Sequence, residues 1–96
     1  MENPLEKEWE KKLVKVTEKW DWLHLKIQPR GDKAWPDQLF ITDRGEHVWF
    51  ECKRVGEEPT PLQYYKMSKL RRQGAKVHWA DNIEDAVNIL SNYLIY

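Results

Sequence analysis

Val48-Trp49-Phe50-Glu51-Cys52-Lys53 is the stretch that decides how this chain folds. Its pattern is that of a β-strand, in which successive side chains point to opposite faces. Val48, Phe50 and Cys52 then share a face fit for the core, and Trp49, Glu51 and Lys53 share the other. A carboxylate and an amine two positions apart on one face can both reach a single small site. Pro36-Asp37, a hairpin's length earlier, supplies a further carboxylate from the neighbouring strand. Such a site has hard oxygen donors for Mg²⁺ or Mn²⁺ and a cation beside them. Phosphodiester hydrolysis needs these parts: a metal to activate water and neutralise the phosphate, and an amine to orient the water or share the developing charge.

The segments on either side supply a sheet and its covering helices. Leu5, Trp9, Leu13, Val16 and Trp20 recur at helical spacing, which predicts an amphipathic helix over 5–19. Residues 22–27 alternate as a strand, 28–35 form a loop, and 37–41 form a second strand. Thr42-Asp43-Arg44-Gly45-Glu46 is turn chemistry leading into a third strand over 47–54. After a loop at 56–59, Thr60-Pro61-Leu62-Gln63 reads as a helix start, with Thr as N-cap, Pro at the first position and Gln closing a capping box. That helix runs to about Gln73 and stops at Gly74. Residues 75–79 make a short fourth strand. Asp81 or Asn82 caps a last helix with Ile83, Val87, Leu90 and Leu94 along one stripe. A helical crossover between the third and fourth strands makes them parallel, so the expected architecture is α/β, a mixed four-stranded sheet flanked by helices.

Ninety-six residues suit one domain, 1–96, with a single core. A third of the residues are charged, and no apolar run is long enough to span a membrane or form a signal-peptide core. The one cysteine excludes an internal disulfide framework and fits a reducing compartment, so a cytoplasmic location is expected. Net charge is zero, which by itself argues against a nucleic-acid partner, but the distribution is uneven. Lys66, Lys69, Arg71, Arg72 and Lys76 fall between Tyr64 and Lys76 without an acid. Lys26, Arg30 and Lys33 surround a single Asp32. A solvated helix face is the plain reading of such clusters; a grip on a phosphate backbone is the functional one. Six tryptophans in so short a chain serve mainly as packing, with Trp35 and Trp49 placed to wall the site.

The order α-β-β-β-α-β, with Pro36-Asp37 opening the second strand and Glu51-Cys52-Lys53 in the third, resembles the PD-(D/E)XK nuclease superfamily, whose core is restriction-endonuclease-like. More narrowly it resembles the VRR-NUC domain (virus-type replication-repair nuclease). Trp9-Glu10-Lys11-Lys12-Leu13-Val14-Lys15 is similar to that family's first helix and its glutamate, and Leu23-His24-Leu25-Lys26-Ile27 to its first strand. Ala34-Trp35-Pro36-Asp37-Gln38-Leu39 resembles a segment usually written Gly-x-Pro-Asp-Arg-Leu. Pro59-Thr60-Pro61-Leu62-Gln63 resembles its Pro-Leu-Gln helix start. Two positions depart from the pattern: Ala34 stands where the family usually has glycine, and Gln38 where it often has arginine, a plausible phosphate contact.

The resemblance implies a metal-dependent DNA endonuclease in which Glu10, Asp37, Glu51 and the backbone carbonyl of Cys52 hold Mg²⁺ or Mn²⁺. Lys53 would meet the attacking water, and Gln63 would lie beside it. Periodicity alone points to Glu6 rather than Glu10 as the helix ligand. Gln63 also has a purely structural reading in the capping box, and the two are compatible. Lys26, Arg30, Lys33, Lys66, Lys69 and Arg72 are the expected DNA contacts, made to the backbone and without base readout. Branched or junction DNA and a homodimer are carried over as family expectations. One site can cut one strand at a time, and the Tyr93-Leu94-Ile95-Tyr96 tail adds apolar surface for pairing. His24, His47 and His78 fall on three strands without metal-ligand spacing and read as packing or surface residues. A non-catalytic nucleic-acid-binding module is the alternative, and a protein-interaction domain exposing tryptophans is a third reading that leaves the carboxylate–lysine pattern unexplained.

Overall fold

The computed structural model describes residues 4–94, with side chains from residue 6 onward. Seven elements follow one another: α1 (Pro4–Lys19), β1 (Leu23–Lys26), β2 (Gln38–Ile41), β3 (His47–Cys52), α2 (Pro61–Arg72), β4 (Lys76–Ala80) and α3 (Ile83–Ser91). The strands lie in the order β1-β2-β3-β4. The first two pairings are antiparallel and the last is parallel, because α2 carries the chain back across the sheet. This is the expected mixed sheet, with α3 as the additional C-terminal helix.

β3 alternates as its sequence predicts: Val48, Phe50 and Cys52 are buried, and Trp49 and Glu51 are half-buried. Its core face carries Phe40 and Gln38 from β2, paired with Val48 and Phe50. Trp9 and Leu13 of α1 and Ala86 and Leu90 of α3 close over that face and make the main core. The opposite face carries Leu39, Trp49, Glu51, Val77 and Trp79. Met67 of α2 is buried, and Tyr64 of the same helix meets the Trp79 ring edge-on. Both faces are therefore covered, as a sheet with a parallel pair requires.

Several boundaries move by a residue or two. β1 is shorter than expected and turns Leu23 and Leu25 outward, 64% and 47% exposed, while Trp22 is buried ahead of it. In α1 the buried line is Trp9, Leu13 and Thr17, so Val16 is only half covered; the Thr17 hydroxyl is satisfied by the Val14 carbonyl. Leu5's side chain lies outside those described. Thr60 caps α2 through a full capping box with Gln63. Asn82, rather than Asp81, caps α3 by accepting from the Asp85 N–H. Asp81 instead accepts from the Gly56 N–H and ties down the loop after β3. Tyr93 and Leu94 pack on the protein's own core, so that part of the tail offers a partner little surface; Ile95 and Tyr96 lie outside the described residues.

Candidate active site

At one end of the sheet, α1, β1, β2 and β3 enclose a cavity of about 240 Å³. Its walls are Glu6, Lys7 and Glu10 from α1, Lys26 from β1, Asp37 just before β2, and Glu51, Cys52 and Lys53 at the end of β3. The two strand carboxylates meet there because β2 and β3 are paired neighbours and Asp37 precedes Gln38, the partner of Phe50. The α1 acids join them because Glu6 and Glu10 are one turn apart on the same side of the helix. Both helix acids thus reach the cavity, and the choice between them becomes a difference in anchoring. Glu10 accepts from the Gln38 amide at 2.7 Å and pairs with Lys26 at 3.5 Å.

Burial, and then the nearness of other carboxylates, raises the proton affinity of Glu6, Glu10 and Glu51. The Glu51 carboxyl is pushed up to about 7, first by burial and then by Asp37, against the pull of Lys53. Burial also raises Glu10, opposed by Lys26, and raises Glu6, helped by Glu10. Lys53 Nζ lies 3.8 Å from Glu51 with both side chains largely covered, so these two form the ion pair that strand geometry allows. The Gln63 amide donates to Glu51 at 3.4 Å while its carbonyl accepts from the Thr60 N–H at 2.9 Å. Gln63 therefore serves the helix cap and the site together. The Cys52 thiol is in the core, where burial holds it far above its ordinary pKa, so it is no nucleophile.

The donor set is all oxygen on its acidic side, which suits a hard divalent cation rather than a thiophilic one. Among the described residues, no three His, Cys, Asp or Glu groups are drawn tightly enough together to hold a metal ion as they stand. The acids' charge is instead met by Lys26, Lys53 and the amides of Gln38 and Gln63.

Other sequence-marked residues are divided. Lys26 lies in the cavity wall, its side chain 43% exposed. Arg30 and Lys33 are exposed on the loop before β2. Lys66 is paired with Asp32 at 2.7 Å and lies over the Trp35 ring, its side chain only 13% exposed. Lys69 and Arg72 are exposed on α2, whereas Arg71 is committed to the Val77 carbonyl and Lys76 to Glu46. His47 bonds the Gly45 carbonyl and His78 the Tyr93 hydroxyl. His24 does more than pack: its imidazole meets the Gln38 carbonyl oxygen.

Two residues of the site were missed from sequence. Gln38 is fully buried and joins His24 to Glu10, with a longer contact to Asp37 at 3.3 Å. Trp9 donates its indole N–H to the Lys53 carbonyl. A polar residue at a core-facing strand position was the available signal for Gln38; nothing marked Trp9 apart from other core tryptophans.

No protein-family model matches the chain. Over 81 residues it is 33% identical to "Putative nuclease p44" of Acyrthosiphon pisum secondary endosymbiont phage 1, covering 84% of this chain and 86% of that protein. Among solved structures, one described as a VRR_NUC domain superposes with a TM-score of 0.87 at 24% identity, covering 96% of this chain and all of that one. A second, a VRR_NUC domain protein, gives 0.71 at 16% identity over 98% and 91% of the two chains.

Proposed function

This chain belongs to the VRR-NUC family of nucleases, and we propose that it is a Mg²⁺- or Mn²⁺-dependent DNA endonuclease working in the cytoplasm. One observation carries the reading: Glu6, Glu10, Asp37, Glu51 and Lys53 line a single cavity at the end of the sheet. Asp37, Glu51 and Glu10, with the Cys52 carbonyl, would hold the cation. When bound, it neutralises the phosphate and makes water a better nucleophile.

The chain's own groups do the remaining work. Lys53 aims its ammonium into the cavity and orients the attacking water. Its pairing with Glu51 holds that amine in place. Gln38 and Gln63 fix the carboxylates of Glu10 and Glu51, so that the acids keep their spacing when substrate arrives. Arg30, Lys33, Lys69 and Arg72 supply exposed positive charge for the backbone. A homodimer on branched DNA is the fuller form of the proposal. Its support is the outward pair Leu23 and Leu25 on an edge strand, apolar surface with an open hydrogen-bonding edge.

The test is cleavage of supercoiled, linear and four-way-junction DNA with Mg²⁺, Mn²⁺ or EDTA, alongside light scattering over a concentration series. Cleavage should require metal and vanish in Asp37→Ala, Glu51→Ala and Lys53→Ala, with Lys53→Ala keeping DNA affinity within a few-fold. Intact DNA binding with no cleavage under any metal would instead make the protein a non-catalytic binding module.

A further inference from the structure

Away from the acidic cavity, the loop before β2 lies against α2 and forms a second hollow of about 200 Å³. Its walls are Trp35, Lys69, Leu70, Arg72 and Gln73. Trp35 is held at one edge and on one face: its indole N–H donates to Asp32 at 2.8 Å, and Lys66 Nζ lies over the ring, 4.4 Å from the centroid. Lys66 is fixed in turn by Asp32 at 2.7 Å. Lys66 stands outside the walls of the hollow, so the indole has aromatic surface there that this lysine does not cover. A tryptophan that served only as packing would be closed over by apolar groups. In the wall of the hollow, Leu70 is the one apolar side chain beside Trp35, and the others are two cations and an amide.

We propose that this hollow captures one unpaired nucleobase of the substrate, stacked on Trp35, with Lys69 and Arg72 holding the phosphates on either side. The volume is below the roughly 300–1,000 Å³ of sites that engulf a drug-sized ligand, and suits one planar ring held on a face. Base–aromatic stacking beside lysine and arginine is how proteins grip single strands without reading sequence. A second aromatic–cation pair on the same helix, Tyr65 with Lys69 Nζ 5.4 Å from its ring, extends the surface.

The position relative to the acids gives the hollow its use. Trp35 is two residues from Asp37, at most about 7 Å along the chain. Leu70 is seven residues along α2 from Gln63, which bonds Glu51; at the helical rise this is roughly 10 Å. A strand whose phosphate lies at the acids would bring a base within one to three nucleotides of it to Trp35, taking about 3.4 Å of rise per nucleotide. A fully paired duplex keeps its bases stacked and cannot offer one. The hollow therefore favours DNA that offers an unpaired nucleotide next to the cut, with Trp35 as the residue that holds its base. The inference rests on the nuclease reading only for where the DNA lies.

The test uses three DNAs in EDTA: a duplex with one unpaired 2-aminopurine beside a nick, the same with an abasic site at that position, and a fully paired duplex. The wild type should bind the first roughly tenfold more tightly than the other two and quench its fluorescence. Trp35→Ala should lose both the preference and the quenching while keeping its duplex affinity, and Trp35→Phe should retain part of each. Equal wild-type affinity for all three DNAs, or a preference surviving in Trp35→Ala, overturns the proposal. Adding Mn²⁺ separates the two readings. Base capture without any cleavage leaves this proposal standing and removes the nuclease; cleavage with no preference does the reverse.

Discussion

The indole N–H of Trp9 donates to the main-chain carbonyl of Lys53 at 3.0 Å, joining α1 to the end of β3. On its other side the Lys53 N–H donates to the Ala80 carbonyl of β4 at 2.8 Å. The backbone that carries the Lys53 amine is thus held from both directions. The helix supplying Glu6 and Glu10 is docked by the same bond. Trp9 is also buried in the core, so its apolar and polar roles can be separated by substitution.

Trp9→Phe keeps most of the apolar contact and leaves the Lys53 carbonyl without its partner. The expected cost is about 1–2 kcal/mol in urea unfolding. Cleavage, measured well below the melting temperature, should fall roughly tenfold because the amine and the helix acids lose their common anchor. A variant that loses stability yet cleaves at the wild-type rate would reduce Trp9 to a packing residue.

Gln38 makes a comparable link inside the sheet. Its amide is a donor that both Glu10 and Asp37 use, and its carbonyl is occupied by His24. A group fixing the orientation of a metal-binding carboxylate typically changes metal affinity 10–100-fold when removed. Gln38→Ala should weaken Mn²⁺ binding by that order in calorimetry. Gln38→Glu should also unfold more easily in EDTA, since it adds a carboxylate where one donor was needed. Mn²⁺ affinity within twofold of wild type in Gln38→Ala would place the glutamine outside the site's function.

The fold was legible because β3 and the start of α2 carry strong local signals. Alternation in 48–53 and the Thr60–Gln63 capping box need no tertiary information. The convergence of Asp37, Glu51 and Lys53 followed from period-two geometry and a hairpin. Gln38 was illegible in its role because its meaning depends on β1–β2 register, which sets His24 beside it, and on the depth at which α1 lies. Arginine's absence there suggested a lost phosphate contact; the glutamine is instead a buried hub. The division of the basic residues was hidden for the same reason. Nothing local tells that Lys66 is paired with Asp32 and Arg71 with a carbonyl while Lys69 and Arg72 stay exposed.

Ala34 occupies a left-handed backbone conformation, φ +72°, at the position where the resemblance leads one to expect glycine. A side chain there costs about 1–2 kcal/mol, offset in part by the entropy glycine loses on folding. Ala34→Gly should therefore stabilise by up to about 1 kcal/mol, read as a rise of a few degrees in Tm. An unchanged or lower Tm would show that the loop carries no such strain. Ala34 immediately precedes Trp35, so its backbone conformation helps to set how the loop brings that indole to the hollow on α2.

Glu51 links the site's chemistry to the protein's stability. Its carboxyl titrates near 7 in the fold against about 4.5 for an exposed glutamate, because burial and Asp37 disfavour the charge. Between those values the folded protein binds a proton that the unfolded chain has released. The sign follows: this group's contribution is fully present below about 4.5 and is lost as pH rises through about 7. At pH 8 the ionised carboxylate costs on the order of 3 kcal/mol. Glu51→Gln cannot ionise and keeps an acceptor and a donor in nearly the same shape. In EDTA the variant should match the wild type near pH 4.5 and exceed it at pH 8, by an amount that grows across the window. Mn²⁺ should then raise the Tm of the wild type and leave that of Glu51→Gln nearly unmoved, since a cation binding only the folded form stabilises it by mass action. A pH-independent difference between the two proteins in EDTA would mean that Glu51 does not carry a suppressed charge, and the stability given up for a metal-ready acid would have to lie elsewhere in the cavity.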